Sequence, residues 1–299
     1  MTQTGPVIDG HLHVWDPHRL DHAWLRDVPE LDRRFGLEDL DLGGAPVAGV
    51  VVVQADCRPD QAAAEVDWVR SLADGAAAAG PPILGVVAHA SLEQGAGCGD
   101  QLASYAEDPL VVGVRRLLQD EPAGFALRPD FVEGVWQLAG LGLPLDLCVR
   151  WHQLDEVTRL VERCPEVTFV LDHLGKPPVR AGAFAAWADR LTRLAGLPHV
   201  SCKLSGLTTE ADPDQRTAAG LLPYLHHALA VFGADRCLFG SDWPVAGTAV
   251  GYRAWFDLVV DACADLSVAD REQVLSGTAR TVYGLAPGDL SAGRGTTWH

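Results

Sequence analysis

Eight short apolar runs punctuate this chain, and each is followed by a stretch with helical hydrophobic spacing. The runs are PVIDGHLH (6–13), VAGVVVVQA (47–55), PILGVVAHA (82–90), VVGVRRLL (111–118), LPLDLCV (143–149), VTFVLDHL (167–174), HVSCKLSG (199–206) and RCLFGSDW (236–243). Most are too apolar for a sheet with one wet face. They read as strands covered on both sides, the mark of a parallel sheet. Parallel neighbours need long crossovers, and helices serve best. Helical patterns fill 60–79, 130–142, 153–164, 183–196, 217–233, 252–266 and 268–285, with a shorter one inside 98–108. Eight such units, each about 30 residues long, predict an α/β chain folded as a single-domain (β/α)8 TIM barrel. The barrel is expected over residues 1–286, with the Gly-rich 287–299 as a loose tail. A doubly wound open sheet is the competitor, but no G-x-G-x-x-G follows the first strand. Pro17 to Gly44 is long for a strand-to-helix connection. It carries Trp24 and Leu25 and is expected to cover one mouth of the barrel.

Charge narrows the partners. Formal net charge is −17, from 40 acids against 23 Lys plus Arg. That excludes nucleic acid and anionic membrane surfaces, which need basic patches. The seven cysteines are scattered and odd in number, and none forms C-x-x-C. A disulfide framework or structural zinc knuckle is therefore not expected. Cys148, Cys202 and Cys237 lie in strand-like runs and read as buried filler. The N-terminus shows no basic n-region with an apolar h-region behind it, and no apolar run reaches about 18 residues. These features together predict a cytoplasmic protein.

A barrel collects the C-terminal ends of its strands on one face, where chemistry sits. Ionisable residues at strand ends are therefore candidates. His11 and His13 end the first run, and at i, i+2 they project to one side. Arg115 and Arg116 fall in the fourth run, Asp172 and His173 end the sixth, Lys203 and Ser205 the seventh, and Asp242 the eighth. His11, His13, His173 and Asp242 would suit one zinc or manganese ion. The same groups can also act without metal, imidazoles polarising a carbonyl and the carboxylate taking a proton from water. Asp172 precedes His173 in its strand, so strict alternation points it away from the lumen toward the helical shell. Lys203 sits in an apolar run, and substrate contact and a structural salt bridge both remain open. Arg115 and Arg116 face opposite ways. Trp15, Trp24 and Trp243 stand near the expected mouth, where an aromatic face suits sugar C–H groups or plain packing. His89, His226 and His227 are set aside as structural. His152 opens a helix.

The ordered set D-G-H-L-H, L-D-H-L-G-K-P-P, C-K-L-S-G-L and F-G-S-D-W-P resembles the amidohydrolase superfamily, and within it the sugar-lactone hydrolases. V-W-D-P, A-W-L and G-V-R-R-L-L-Q-D-E-P fit the same branch. The resemblance runs from about Val7 to Leu285. It implies a hydrolase that opens a small sugar-acid lactone by water attack. Asp242, His173 and Arg115 would be catalytic, and Trp15, Trp24, Lys203 and Trp243 would meet the substrate. Arg115-Arg116 stands where the branch reads R-H. No lysine in the fourth run can bridge two metals, and the fifth run's usual metal histidine is not evident. The expectation is therefore at most one divalent ion, dispensable or weakly held. A small-molecule lactone is the expected partner, and a homo-oligomer is left open. The alternatives are a related metal-dependent decarboxylase or other amidohydrolase acting on a small carboxylate, and a non-catalytic sugar-acid-binding barrel. The intact Asp242 disfavours the last.

Overall fold

The structure is a computed structural model that describes residues 5–75 and 80–286. The expected tail, 287–299, lies outside the described residues. Eight strands appear in the expected order: β1 Val7–Leu12, β2 Val47–Val53, β3 Ile83–His89, β4 Val111–Arg115, β5 Leu145–Leu147, β6 Phe169–Leu171, β7 Val200–Leu204 and β8 Cys237–Phe239. Each pairs in parallel with the next in a single sheet. The Asp242 N–H donates to His11 O, and the His13 N–H donates to Trp243 O, both at 2.7 Å. These bonds join the last strand's end to the first, so the sheet curls into a barrel. Helices return the chain between strands: α1 Ala62–Ala73, α2 Gly99–Glu107, α3 Pro129–Trp136, α4 Leu154–Arg163, α5 Phe184–Ala195, α6 Ala218–Phe232 and α7 Tyr252–Ala262. The final helical run contains α8 Val268–Glu272 and α9 Thr278–Val282 around a π-turn. No described helix is long and apolar enough to cross a membrane.

Alternation along the strands divides the core in two. Val50, Val52, Leu145, Leu147 and their counterparts pack outward under the helices. Ile8, Val51, Val53, Val87, Val170 and Leu238 form a separate inner cluster, which Ala279, Tyr283 and Leu285 from the chain's last helical run join. The lumen is thus filled at one end, leaving only the other for chemistry. The β1–β2 register slips between Asp9 and Leu12. This slip lets Leu12 pack outward while His11 reaches the lumen, both fully buried.

Glu65 on α1 braces the turn after β2. Its Oε1 accepts the Ala55 N–H at 2.7 Å, while Oε2 has no hydrogen-bond partner among the described residues. Burial pushes this carboxyl up to about 7 from an ordinary 4.5. A raised acid keeps its proton in the folded state while the unfolded chain releases one, so stability falls as pH rises from about 4.5 to 7. Glu65→Gln removes that loss. The variant is expected to gain on the order of 2–3 kcal/mol relative to the parent between pH 5 and pH 8. Thermal melts at both values check this, and an offset that does not change with pH would sink it.

Candidate active site

Backbone strain marks the site before any chemistry is considered. Among the described residues, the five non-glycine positions with positive φ are Asp56, His173, Leu174, Lys176 and Asp242. Four of them, all but Leu174, line one cavity of about 220 Å³. Such conformations persist only where surrounding structure enforces them, and they gather at functional sites. The cavity lies where strands end. His13, Arg115, His173 and Asp242 line it from around the barrel, and Trp24 closes it from the long connection after β1. Asp56, Gln119, Asp120, Cys148, Lys176 and Thr209 complete the wall from loops that follow the strands.

The four predicted groups converge. His11 Nε2 and His13 Nε2 are 3.1 Å apart. Asp242 Oδ1 lies 3.4 Å from His13 Nε2, 3.8 Å from His11 Nε2 and 3.9 Å from His173 Nε2. A tetrahedral ion with nitrogen ligands at 2.0–2.1 Å separates its donors by about 3.3 Å, and His11, His173 and Asp242, whose donor atoms lie within 4.8 Å of one another, form a set that could hold one metal ion. Other atoms orient the rings. His13 Nδ1 donates to Val53 O at 2.8 Å, which leaves its Nε2 bare toward the cavity. His173 Nδ1 meets Ser205 Oγ at 2.9 Å.

Burial sets the charges. It drives His11 well below the usual imidazole range, helped by the nearby Lys203 charge. It also lowers His173 to about 4. Both rings are neutral at pH 7. For Asp242, burial alone would favour the protonated form, but the imidazoles of His173, His13 and His11 outweigh it and hold the carboxyl well below the ordinary range. An ionised carboxylate therefore faces neutral imidazoles.

Several expectations need correction. Asp172 does not point to the helical shell. β6 ends at Leu171, and the left-handed turn at His173 breaks the alternation, so residues 172 and 173 both reach the axis. Asp172 lies 3.2 Å from both His11 Nδ1 and Arg115, and 3.0 Å from Lys203 Nζ. Lys203 is not placed to touch substrate. It is fully buried between Asp146 and Asp172 and does not line the cavity. Trp15 is also fully buried and donates to Leu31 O and Arg33 O. Trp243 packs on Phe35, 5.7 Å between ring centres, rather than on the cavity. Of the three tryptophans only Trp24 lines it. Arg116 turns away and pairs with Glu93 and Glu121. His89, set aside as structural, does not line the cavity and its ring meets Ser91 Oγ, while His152 sits in a short turn at Trp151–Gln153 outside the cavity lining.

Sequence reasoning missed Asp146. Its carboxylate takes Lys203 and the Tyr283 hydroxyl from beneath the site. The signal was present in LPLDLC and SCKLSG, two opposite charges in otherwise apolar strands. β5 and β7 are alternate strands, and alternate strands fill the same layer of a barrel.

A family model described as Amidohydrolase matches residues 8–285. The L-fucono-1,5-lactonase of Burkholderia ambifaria is 32% identical over 92% of this chain and 94% of its own length. That of Burkholderia multivorans is 33% identical, over 93% and 96%. A crystal structure of an amidohydrolase from Burkholderia multivorans with bound zinc superposes with a TM-score of 0.83 at 32% identity, covering 94% of this chain and all of that one.

Proposed function

We propose, from the premise that this chain belongs to the amidohydrolase family, that it hydrolyses a small sugar-acid lactone to the open hydroxy acid. The observation that carries the reading is one ionised carboxylate, Asp242, set against three imidazoles at the closed seam of the barrel. Lactone opening needs a base for water, donors for the carbonyl oxygen and a proton for the departing ring oxygen. Asp242 holds the water and accepts its proton as the water oxygen bonds to the carbonyl carbon. The carbonyl electron pair moves to oxygen, where Arg115 and an N–H of His173 stabilise it. Arg115 donates to Asp172 and to Gln54 O, while its buried Nε has no partner among the described residues. When the intermediate collapses, the ring C–O bond breaks and Asp242 returns its proton to the ring oxygen. Asp56, Gln119, Asp120, Lys176 and Thr209 give the wall hydrogen-bonding groups that suit ring hydroxyls, and Trp24 offers a face for C–H groups.

A zinc or manganese ion held by His11, His13, His173 and Asp242 would supply Lewis-acid polarisation of the carbonyl. In this reading it is weakly held and dispensable, because Asp242 cannot be both a tight ligand and a free base. The names of the lactonase relatives put lactone opening ahead of decarboxylation. Seven free, buried thiols fit the reducing cytoplasm.

A panel of aldonolactones with a pH indicator tests the proposal. At least one should release acid, the rate should persist with chelator, and metal analysis should give no more than one ion per chain. Release of carbon dioxide from a small carboxylate with every lactone untouched would defeat it. Full loss on chelation would remove the dispensability claim alone.

A further inference from the structure

His11 is the one imidazole of the cluster whose inner nitrogen faces both a cation and an anion. Its Nδ1 is 2.9 Å from Lys203 Nζ and 3.2 Å from Asp172 Oδ1. An ammonium only donates hydrogen bonds, and a carbonyl oxygen only accepts them. Those two facts fix the ends of a chain of contacts. Lys203 is at one end, fully buried and clamped between Asp146 and Asp172. Val53 O is at the other, taking the His13 Nδ1 hydrogen. Between them, His11 Nε2 and His13 Nε2 stand 3.1 Å apart. Only one direction satisfies every link: Lys203 to His11 Nδ1, His11 Nε2–H to His13 Nε2, and His13 Nδ1–H to Val53. Asp172 Oδ1, 3.2 Å from His11 Nδ1, is left without a hydrogen-bond partner among the described residues when Lys203 donates to His11.

We propose that Lys203 is a positioning residue that holds His11 as its Nε2–H tautomer, so that in the metal-free protein His11 donates to His13 and offers no bare nitrogen to a metal. A metal needs that nitrogen bare. Binding must move the proton to Nδ1, break the Lys203 contact and turn the ring's hydrogen toward Asp172, the waiting acceptor. Carboxylate–imidazole pairs of that kind orient metal ligands. Lys203 thus works against the metal state and Asp172 for it. The inference concerns the same site as the proposed lactonase activity, but its readouts do not depend on which substrate is turned over.

Nitrogen-15 NMR of histidine-labelled, metal-free protein near neutral pH reads the tautomers directly, with His11 assigned by signal loss in His11→Gln. The protonated nitrogen should be Nε2 in His11 and Nδ1 in His13. A His11 proton on Nδ1 would overturn the proposal. Zinc titration against a chromophoric chelator gives the second readout. Lys203→Met should bind zinc about 10-fold more tightly than the parent. Lys203→Met with Asp146→Asn, which removes the carboxylate left unpaired, should do the same if the single variant folds poorly. Equal or weaker zinc binding in the folded variant would refute the role. If no lactone is opened yet the tautomers are as stated, the functional reading falls and this one stands.

Discussion

Asp242→Asn is expected to lower lactone turnover about 10³-fold while the protein stays folded, with a melting temperature lower by several degrees because the stabilised carboxylate is lost. The substitution keeps the side chain's shape and removes its ability to take a proton. The backbone should tolerate it. Asp242 has φ of 56°, a left-handed conformation that asparagine adopts more readily than most residues. The two main-chain bonds at this position, to His11 O and from the Ala246 N–H, do not involve the carboxylate. Steady-state kinetics beside a thermal melt separate the effects. A variant that keeps most of its turnover would show that another group accepts the water's proton.

Gly206→Ala is expected to cut kcat/KM about 10²-fold without altering any charged group. A β-carbon there would stand 2.5 Å from His173 Nδ1, 2.7 Å from its Cγ and 3.0 Å from Asp242 Oδ2. Something must shift, and what shifts is the ring that meets Ser205 or the base itself. Displacement of catalytic groups by about 1 Å costs rate on this scale. The position also has φ of 61°, so alanine adds roughly 1–2 kcal/mol of backbone strain. Gly124→Ala separates the two effects. Its φ is 89° with nothing within 4 Å of the added carbon, so it should lose stability and keep activity. Equal activity losses in the two variants would show that the fall at Gly206 is not local to the site.

The barrel was legible because its signals are local. Each strand announces itself by an apolar run, each helix by spacing, and their alternation leaves few topologies. The convergence of His11, His13, His173 and Asp242 was legible for a related reason, since a barrel brings strand ends to one rim. What failed were inferences from strict two-residue alternation. Asp172 and His173 face the same axis because a left-handed turn intervenes. Lys203 stood as a lone anomaly and Asp146 went unnoticed, because pairing across β5 and β7 is a fact of tertiary layering. The loop residues that line the cavity, such as Lys176 and Thr209, carry no periodic signal at all. Trp15 and Trp243 show the limit of composition: an aromatic near a mouth packs as readily as it recognises a ligand.

The seam between β1 and β8 places His11 and His13 from the start of the chain beside Asp242 from near its end, joined through main-chain bonds. The members of this cluster are separated by most of the polypeptide, so the two ends of the barrel must meet before it exists. Such distant contacts form late, after the entropy of closing a long loop has been overcome. Catalysis is therefore a report on circular closure: a nascent or nicked barrel can be rich in helix and still be inert. The last helical run extends that dependence, since Tyr283 reaches Asp146 beneath the site.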